Sequence, residues 1–304
     1  MRGRLVLLFI FFMAHDSNSI RTDALIEALP YIQKYRGHLF VIKYGGSAME
    51  DEHAVERLLR DIVFLEAVGI NPVLVHGGGK AITDKMRQAG LKAKFVDGLR
   101  VTDAPTMQIV EETLDQVINP KIVAKINEFG GRAVGISGKR VIRAEKVAPP
   151  VAPKSKGIDY GFIGDVIGLN LEEIQRTVAQ EIVPVISPIS QDAKGVSLNV
   201  NADLAAGAIA GALKASKLIY LSDVLGVMRN PAEKDSLIPS VNCREIQHLI
   251  DDEVIEGGMI PKVKSAMAAL ESGVGKVHFI DGRIPHSLLL EIFTNSGIGT
   301  EIVA

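Results

Sequence analysis

The sequence predicts an α/β protein with a mainly parallel sheet covered by helices on both faces. Two observations carry that expectation. Seven short apolar runs of strand character are separated, for the most part, by segments of helical periodicity, and buried strands that alternate with helices imply parallel crossovers. Two of those runs also pass straight into glycines and then a helix: Val41-Ile42-Lys43-Tyr44-Gly45-Gly46-Ser47 and Val73-Leu74-Val75-His76-Gly77-Gly78-Gly79-Lys80. Glycine lets backbone N–H groups approach an anion closely where a helix dipole already favours negative charge.

Taken in order, the chain begins with an anomaly. Arg2 and Arg4 precede the apolar run Leu5 to Met13, the layout of a secretory signal, yet no small-x-small cleavage site follows and the run is too short to span a bilayer. The expectation is an over-extended start with Met13 as the natural first residue, against a membrane anchor or targeting segment as the alternative. From Ser19 to Tyr35 the residues Ile20, Ala24, Leu25, Ala28, Leu29 and Ile32 recur at helical spacing, with Pro30 expected to kink the end. Its apolar face is either packed on its own domain or lent to a neighbour. The strand runs then lie at Leu39 to Lys43, Pro72 to His76, Ala133 to Ile136, Ile182 to Ser187, Lys217 to Ser222, Lys276 to Asp281 and Glu301 to Val303. Helices are expected at Ala54 to Ala67, with Val55, Leu58, Leu59 and Ile62 on one face, and at Leu204 to Lys214.

Two stretches depart from this alternation. Val141 to Glu145 and Gly164 to Gly168 read as a hairpin joined by a segment with Pro149, Pro150 and Pro153, which suggests a surface excursion able to act as a lid. Asn230 to Ser240, with Pro231 and Pro239, reads as a flexible connection.

Bulk composition excludes several classes. A length of 304 residues suits one large or two closely packed domains, and 47% hydrophobic with 23% charged residues is ordinary for a globular protein. A net charge of -2, few aromatics and no tryptophan argue against nucleic-acid binding. The single cysteine, Cys243, permits no intrachain disulfide or thiolate-rich metal site and fits a reducing cytoplasm. No histidine pairs with others or with acids at metal-ligand spacing, so no protein-held metal is expected, and His76 reads as a turn residue.

Four clusters carry candidate chemistry. The glycine turns match neither standard phosphate fingerprint, since Gly79-Lys80 is followed by Ala81 and Ile82 stands where a dinucleotide motif needs its last glycine. Paired, and with Lys43 leading into the first, they favour phosphate. In Leu198-Asn199-Val200-Asn201-Ala202-Asp203, Asn201 or Asp203 reads as a simple N-cap. Alternatively, three polar side chains at alternating positions share one side of an extended segment, and an aspartate there could hold lysine ammonium groups. In Gly258-Met259-Ile260-Pro261-Lys262, Pro261 suits a first helical turn, which leaves Lys262 at the positive end of a helix dipole unless an anion lies nearby. Arg100, in Gly98-Leu99-Arg100-Val101-Thr102, could grip a carboxylate with both arms of its guanidinium, or be an ordinary surface residue.

Together with Leu221-Ser222-Asp223-Val224, these motifs closely resemble the acetylglutamate kinase branch of the amino acid kinase family, in order, from about Ala24 to the C-terminus. The resemblance implies a three-layer αβα sandwich and transfer of the γ-phosphoryl of ATP to the side-chain carboxylate of N-acetyl-L-glutamate, the second step of arginine biosynthesis, in the cytoplasm. It implies residues 1–17 as an extension, 18–37 as an interface helix, 38–187 as an acetylglutamate-binding lobe with the hairpin lid, and 188–304 as a nucleotide-binding lobe. Lys43 and Lys262 would stabilise the phosphoryl group in flight, Asp203 would orient both, and Gly45, Gly46 and Gly79 would face its oxygens. Gly78, Gly79, Arg100 and Asn199 would hold the acceptor, and Ser222, Asp223 and Gly226 the nucleotide, with Mg²⁺ carried on the β- and γ-phosphates. The N-terminal helix resembles that of arginine-inhibited members, which interlaces dimers into a hexamer. That makes L-arginine an expected inhibitor, with Tyr31, Lys217, His278 and Glu291 as candidate ligands, and a PII signalling protein a further candidate partner. The alternatives are another amino acid kinase acting on glutamate or aspartate, or a non-catalytic sensor on the same scaffold.

Overall fold

The computed structural model describes residues 22–23, 25–49, 51–96, 98–147, 159–230, 232–295 and 297–304. Residues 1–21, which take in the expected N-terminal extension and the start of the stretch expected to be helical from Ser19, and the proline-rich connection with Pro149, Pro150 and Pro153 lie outside the described residues. The chain opens with helix α1 (25–35), which runs through Pro30, then strand β1 (Leu39–Tyr44), α2 (Glu52–Ala67), β2 (Asn71–His76) and α3 (Gly79–Gln88). A small hairpin of β3 (Phe95–Val96) and β4 (Leu99–Arg100) leads to α4 (Ala104–Glu111), a π turn (Glu112–Ile118) and α5 (Asn119–Glu128). Next come β5 (Ala133–Ser137), β6 (Ile142–Lys146), β7 (Ile163–Leu169), α6 (Glu172–Ala179), β8 (Val183–Ser187), β9 (Ile189–Gln191), β10 (Ser197–Val200) and α7 (Ala202–Ala212). The last part holds β11 (Lys217–Ser222), β12 (Ser240–Asn242), α8 (Cys243–Asp251), α9 (Met259–Glu271), β13 (Lys276–Asp281), α10 (Ser287–Phe293) and β14 (Thr300–Val303).

One eight-stranded sheet in the order β12-β14-β13-β11-β1-β2-β8-β5 forms the middle layer. Its pairs are parallel except β13 with β14. Side chains alternate along each strand. In β1 that alternation sends Phe40, Ile42 and Tyr44 into a core shared with Leu58, Leu59 and Ile62 of α2, Ile122 of α5 and Leu288 of α10. Val41 goes to the opposite core, with Ala205, Ala206 and Ile209 of α7 and Ala266 of α9. Helices therefore cover both faces, as the predicted α/β class requires. Among the described residues no helix is long and apolar enough to cross a membrane.

All seven expected strands belong to this sheet. The eighth, β12, follows the stretch read as flexible and has Val241 as its one buried hydrophobic. The expected hairpin forms as antiparallel β6 and β7, with an irregularity between Arg143 and Ala144. Its strands are not paired only with each other: they close into a small four-stranded barrel with β9 and β10. Helix α1 packs part of its apolar face on its own core and leaves part exposed. Ala28, Tyr31, Ile32 and Tyr35 pack on the α2 side of the core, whereas Leu25, Ile26 and Leu29 remain 69%, 63% and 45% exposed.

Candidate active site

Strand alternation places Lys43, next to last in β1, on the α7 face of the sheet. Asn201 caps α7: its side chain accepts from the amides of Asp203 (2.8 Å) and Leu204 (3.3 Å). The cap sets Asp203 in the first turn, where its carboxylate meets Lys43 Nζ at 2.8 Å from Oδ1 and Lys262 Nζ at 3.2 Å from Oδ2. Burial opposes ionisation of Asp203, but the two ammonium groups outweigh it and hold the carboxyl below its ordinary range. Lys262 stands in the first turn of α9 beside Pro261, so this paired carboxylate is the anion that its unfavourable helix position called for.

The row of three polar side chains expected on one extended segment is corrected by these elements. Strand β10 ends at Val200, so Asn199 belongs to a strand, Asn201 to a cap and Asp203 to a helix. The capping role falls to Asn201 and the lysine-holding role to Asp203. All three still line one cavity of about 210 Å³, together with Lys43, Arg100 and the glycines 45, 46, 77, 78 and 79.

Both glycine turns sit at the carboxyl edge of adjacent parallel strands, where Tyr44 is level with His76. A Cβ on Gly45 would lie 2.8 Å from Lys43 Nζ, and one on Gly78 would lie 2.6 Å from both Leu114 Cδ2 and Ile118 Cδ1. A side chain at either position would have to displace these side-chain atoms, and Gly46 has φ +72°, a left-handed conformation that glycine adopts most readily. Gly46, Gly78 and Gly79 also wall a more apolar cavity of about 510 Å³ between α2, the π turn and α5.

Arg100 is buried rather than an ordinary surface residue. Its Nη2 donates to Gly79 O (2.7 Å) and Thr83 Oγ1 (2.8 Å), and its guanidinium lies 4.6 Å from the centre of the Phe95 ring. The expected two-armed clamp is thus changed, because Nη2 is already anchored to the second glycine turn and Nη1 donates to Met86 Sδ at 3.3 Å. Asn199 Nδ2 donates to Thr102 Oγ1 (3.3 Å), which itself donates to Arg100 O (2.7 Å). Thr83 and Thr102 are supports that the sequence reading did not single out: Thr83 lies in no motif, and Thr102 closes the Gly98-Leu99-Arg100-Val101-Thr102 run without being given a role.

Ser222 ends β11 beside the first turn, since Leu221 is level with Tyr44. Its hydroxyl is buried with no protein partner among the described residues. Asp223 O accepts from Arg283 Nη2 at 2.6 Å, an arginine missed in the sequence that also pairs with Asp281. Gly226 has a packing reason of its own: a Cβ there would lie 2.4 Å from Thr300 Oγ1. These three residues stand outside the 210 Å³ cavity. Among the described residues no group of three or more His, Cys, Asp or Glu side chains could hold a metal ion.

The remaining candidates lie toward the far end of the sheet. Lys217, the first residue of β11, donates to His278 Nε2 at 2.8 Å, and His278 Nδ1 donates to Glu291 Oε1 at 2.6 Å. Burial pushes Lys217 down to about 8 and, aided by the Lys217 charge, keeps His278 low despite Glu291. Tyr31 stands apart from this line, its hydroxyl donating to Asn295 Oδ1 at 2.5 Å.

The chain is 50% identical to the acetylglutamate kinase of Akkermansia muciniphila over 284 residues, 93% of this chain and 95% of that one. It is 49% identical to the acetylglutamate kinase of Methanocaldococcus jannaschii over 288 residues, 93% and 96% of the two chains. Among solved structures, N-acetylglutamate synthase from Neisseria gonorrhoeae complexed with coenzyme A and N-acetyl-glutamate superposes with a TM-score of 0.82 at 26% identity, covering 93% of this chain and 63% of that one. The same synthase complexed with coenzyme A and L-arginine gives 0.78 at 25% identity, covering 93% and 65%. The sequence profile of the amino acid kinase family matches residues 38–281, and with these relatives along nearly its whole length the chain belongs to the amino acid kinase family.

Proposed function

We propose that the chain transfers the γ-phosphoryl group of ATP to the side-chain carboxylate of N-acetyl-L-glutamate, giving N-acetyl-L-glutamyl 5-phosphate and ADP, a step of arginine biosynthesis. The observation that carries this reading is the Lys43–Asp203–Lys262 bridge beside two glycine turns, in a chain about half identical to acetylglutamate kinases. The bond that forms joins a carboxylate oxygen of the acceptor to phosphorus, and the bond that breaks releases the β-phosphate oxygen of ADP. The acceptor carboxylate is already ionised at neutral pH, so the protein needs no general base.

What the residues supply is position and charge. Lys43 and Lys262 approach from β1 and α9 and offset the negative charge spread over the transferring oxygens. Asp203 keeps the two ammonium groups from drifting apart or binding elsewhere. The amides of Gly46 and Gly79 bind oxygens of the same group, Arg100 and Asn199 hold the acceptor, and Ser222, Asp223 and Gly226 line the nucleotide. Mg²⁺ carried by ATP would supply further neutralisation of phosphate charge; a centre whose carboxylate already holds two lysines fits a metal brought by the nucleotide better than one held by the protein.

Arginine inhibition and a hexamer built through α1 complete the reading. They are supported by the Lys217–His278–Glu291 line, by the exposed apolar residues of α1 and by the related synthase seen with L-arginine.

The deciding assay is ATP- and Mg²⁺-dependent phosphorylation of N-acetyl-L-glutamate by the purified protein. Lys43→Ala and Lys262→Ala are each expected to lose about 10²–10³ in kcat, the scale of removing one preorganised charge-stabilising group. Full activity in both variants would overturn the reading. So would a wild-type protein that ignores acetylglutamate while phosphorylating glutamate or aspartate well.

A further inference from the structure

Behind the second glycine turn, buried side chains form a hydrogen-bonded relay that ends in a backbone carbonyl on each side. Asn119 Nδ2 donates to Val185 O of β8 (2.8 Å) and lies 3.1 Å from His76 Nε2, while His76 Nδ1 lies 3.0 Å from Gly77 O. A carbonyl can only accept, so Asn119 must turn its NH₂ toward Val185 and His76 must carry a proton on Nδ1. The second amide hydrogen of Asn119 then points at Nε2, which must be unprotonated. Only one tautomer satisfies the whole relay. His76 is fully buried, and that burial pushes its imidazole down to about 4 against the opposing pull of Gly77, so the ring is neutral. Gly135 of β5 makes the room: a Cβ there would lie 2.1 Å from Asn119 Oδ1.

The relay holds a single peptide unit. Gly77 donates its N–H to Tyr44 O (2.7 Å), and its carbonyl is held inward by His76. The peptide to Gly78 is trans, so its N–H points opposite to its carbonyl. The Gly78 N–H is therefore turned away from the core, and Gly78 lines the cavity that contains Lys43, Arg100 and Asp203. Among the described residues no backbone acceptor meets that N–H. A Gly-Gly peptide left unheld can flip at little steric cost, and flipping would present a carbonyl oxygen to an anion.

We propose that His76, fixed as the Nδ1–H imidazole by Asn119, is a positioning residue for phosphoryl transfer: it locks the Gly77–Gly78 peptide so that the Gly78 N–H faces the anionic substrate. This rests on the phosphoryl-transfer reading and adds to it the side chains that orient one wall of the site.

Two measurements test it. Ring ¹⁵N–¹H correlation spectra of the wild-type protein need no substrate and no acceptor. They are expected to show the His76 proton on Nδ1 alone, unchanged from about pH 6 to 9. A proton on Nε2, or titration inside that window, overturns the inference whatever the acceptor proves to be. Steady-state kinetics then test the consequence. His76→Leu is expected to lower kcat about 10–100-fold, less than deletion of a donor outright, with the KM for ATP within about twofold. His76→Asn, which restores a donor near the Nδ1 position, is expected to recover about tenfold, thermal midpoints serving to confirm that both variants are folded. An unchanged kcat in His76→Leu, or equal loss in the two variants, overturns the inference. A wild-type protein inactive on acetylglutamate counts against the acceptor instead, and leaves the ring spectrum to judge His76.

Discussion

At the scale of single residues, chemistry at this site depends on side chains that are engaged before any ligand arrives. Arg100 shows what that arrangement does. With Nη2 on Gly79 O and Thr83 Oγ1, and its plane over Phe95, the guanidinium is held in one orientation and ties one wall of the cavity to the start of α3. A lysine keeps the charge but has neither the fork nor the planar face. Arg100→Lys is therefore expected to raise the KM for acetylglutamate by about tenfold or more, the worth of one to two charge-assisted hydrogen bonds, while the KM for ATP stays within twofold. Initial-rate measurements with each substrate varied in turn check it, and an equal rise in both constants would show that Arg100 supports the whole site rather than the acceptor. From sequence alone Arg100 read equally well as a carboxylate grip or as an ordinary surface residue. Its anchor on Gly79, 21 residues away, leaves no local signature.

Elements decide where such residues stand, and the π turn between α4 and α5 is an instructive case. It brings Leu114 and Ile118 onto the backbone of Gly78, so that a methyl group at that glycine meets both side chains at 2.6 Å. φ at Gly78 is 175°, outside the left-handed region that favours glycine, and the demand for glycine here rests on the close packing of Leu114 and Ile118. Gly78→Ala is expected to destabilise by about 1–3 kcal/mol and to cut kcat/KM sharply. Leu114→Ala added to it should restore part of the loss, a coupling that denaturant midpoints of the two single variants and the double variant would measure. Simple additivity would mean that the glycine is required for some other reason.

A second element-scale prediction concerns the link between α2 and α10. Buried Asp61 accepts from His286 Nδ1 at 2.6 Å, and burial raises its carboxyl from 3.8 to about 6, against the pull of His286 and Arg57. Above about pH 6 the carboxyl is ionised in both folded and unfolded chains. Between about 6 and 4 the folded protein binds a proton that the unfolded chain does not, so this residue adds stability as pH falls through that window. Asp61→Asn cannot titrate. The stability of wild type relative to that variant should rise by about 1–3 kcal/mol between pH 6.5 and 4 in urea unfolding; a constant difference would refute the shift. The elements themselves differ in how plainly they can be read from sequence. The inner strands of the main sheet, such as β1, β2, β8 and β11, are buried on both faces and show as apolar runs such as Val73 to Val75. Strands β9 and β10 mix Ser190, Gln191 and Asn199 with few apolar residues and are fixed by pairing with β6 and β7, partners distant in sequence. The glycine turns, Lys43 and Lys262 were legible because each is chemically out of place unless an anion is present. Asp203 was legible as either a candidate cap or a holder of lysines, because which residue caps depends on where β10 ends.

For the whole molecule, the question is how the far end of the sheet bears on the catalytic edge. Lys217 and Ser222 terminate the same strand, so the two ends of β11 lie about 17 Å apart at ~3.3 Å per residue. Helix α1 packs beside the Lys217 end: Lys217 Nζ lies 5.3 Å from the centre of the Tyr35 ring and Tyr31 is bonded to Asn295, just after α10. The same helix leaves Leu25, Ile26 and Leu29 exposed, and burying three such side chains against a second copy would supply roughly 1.5–3 kcal/mol each before the costs of association. If α1 joins subunits, a ligand that bridges Lys217 and Glu291 changes the footing of the helix, and with it the angle between subunits. Coupling of that kind needs a ligand with different affinity for the two arrangements. Leu25→Glu combined with Leu29→Glu should therefore lower the solution mass to that of the next smaller assembly and weaken arginine inhibition several-fold. Catalysis without arginine should stay within about twofold, because none of the altered residues lines the site. Light scattering with inhibition curves on the same samples decides between the outcomes. An unchanged mass would remove α1 from the interface, whereas a smaller assembly with undiminished inhibition would place the arginine response within one subunit.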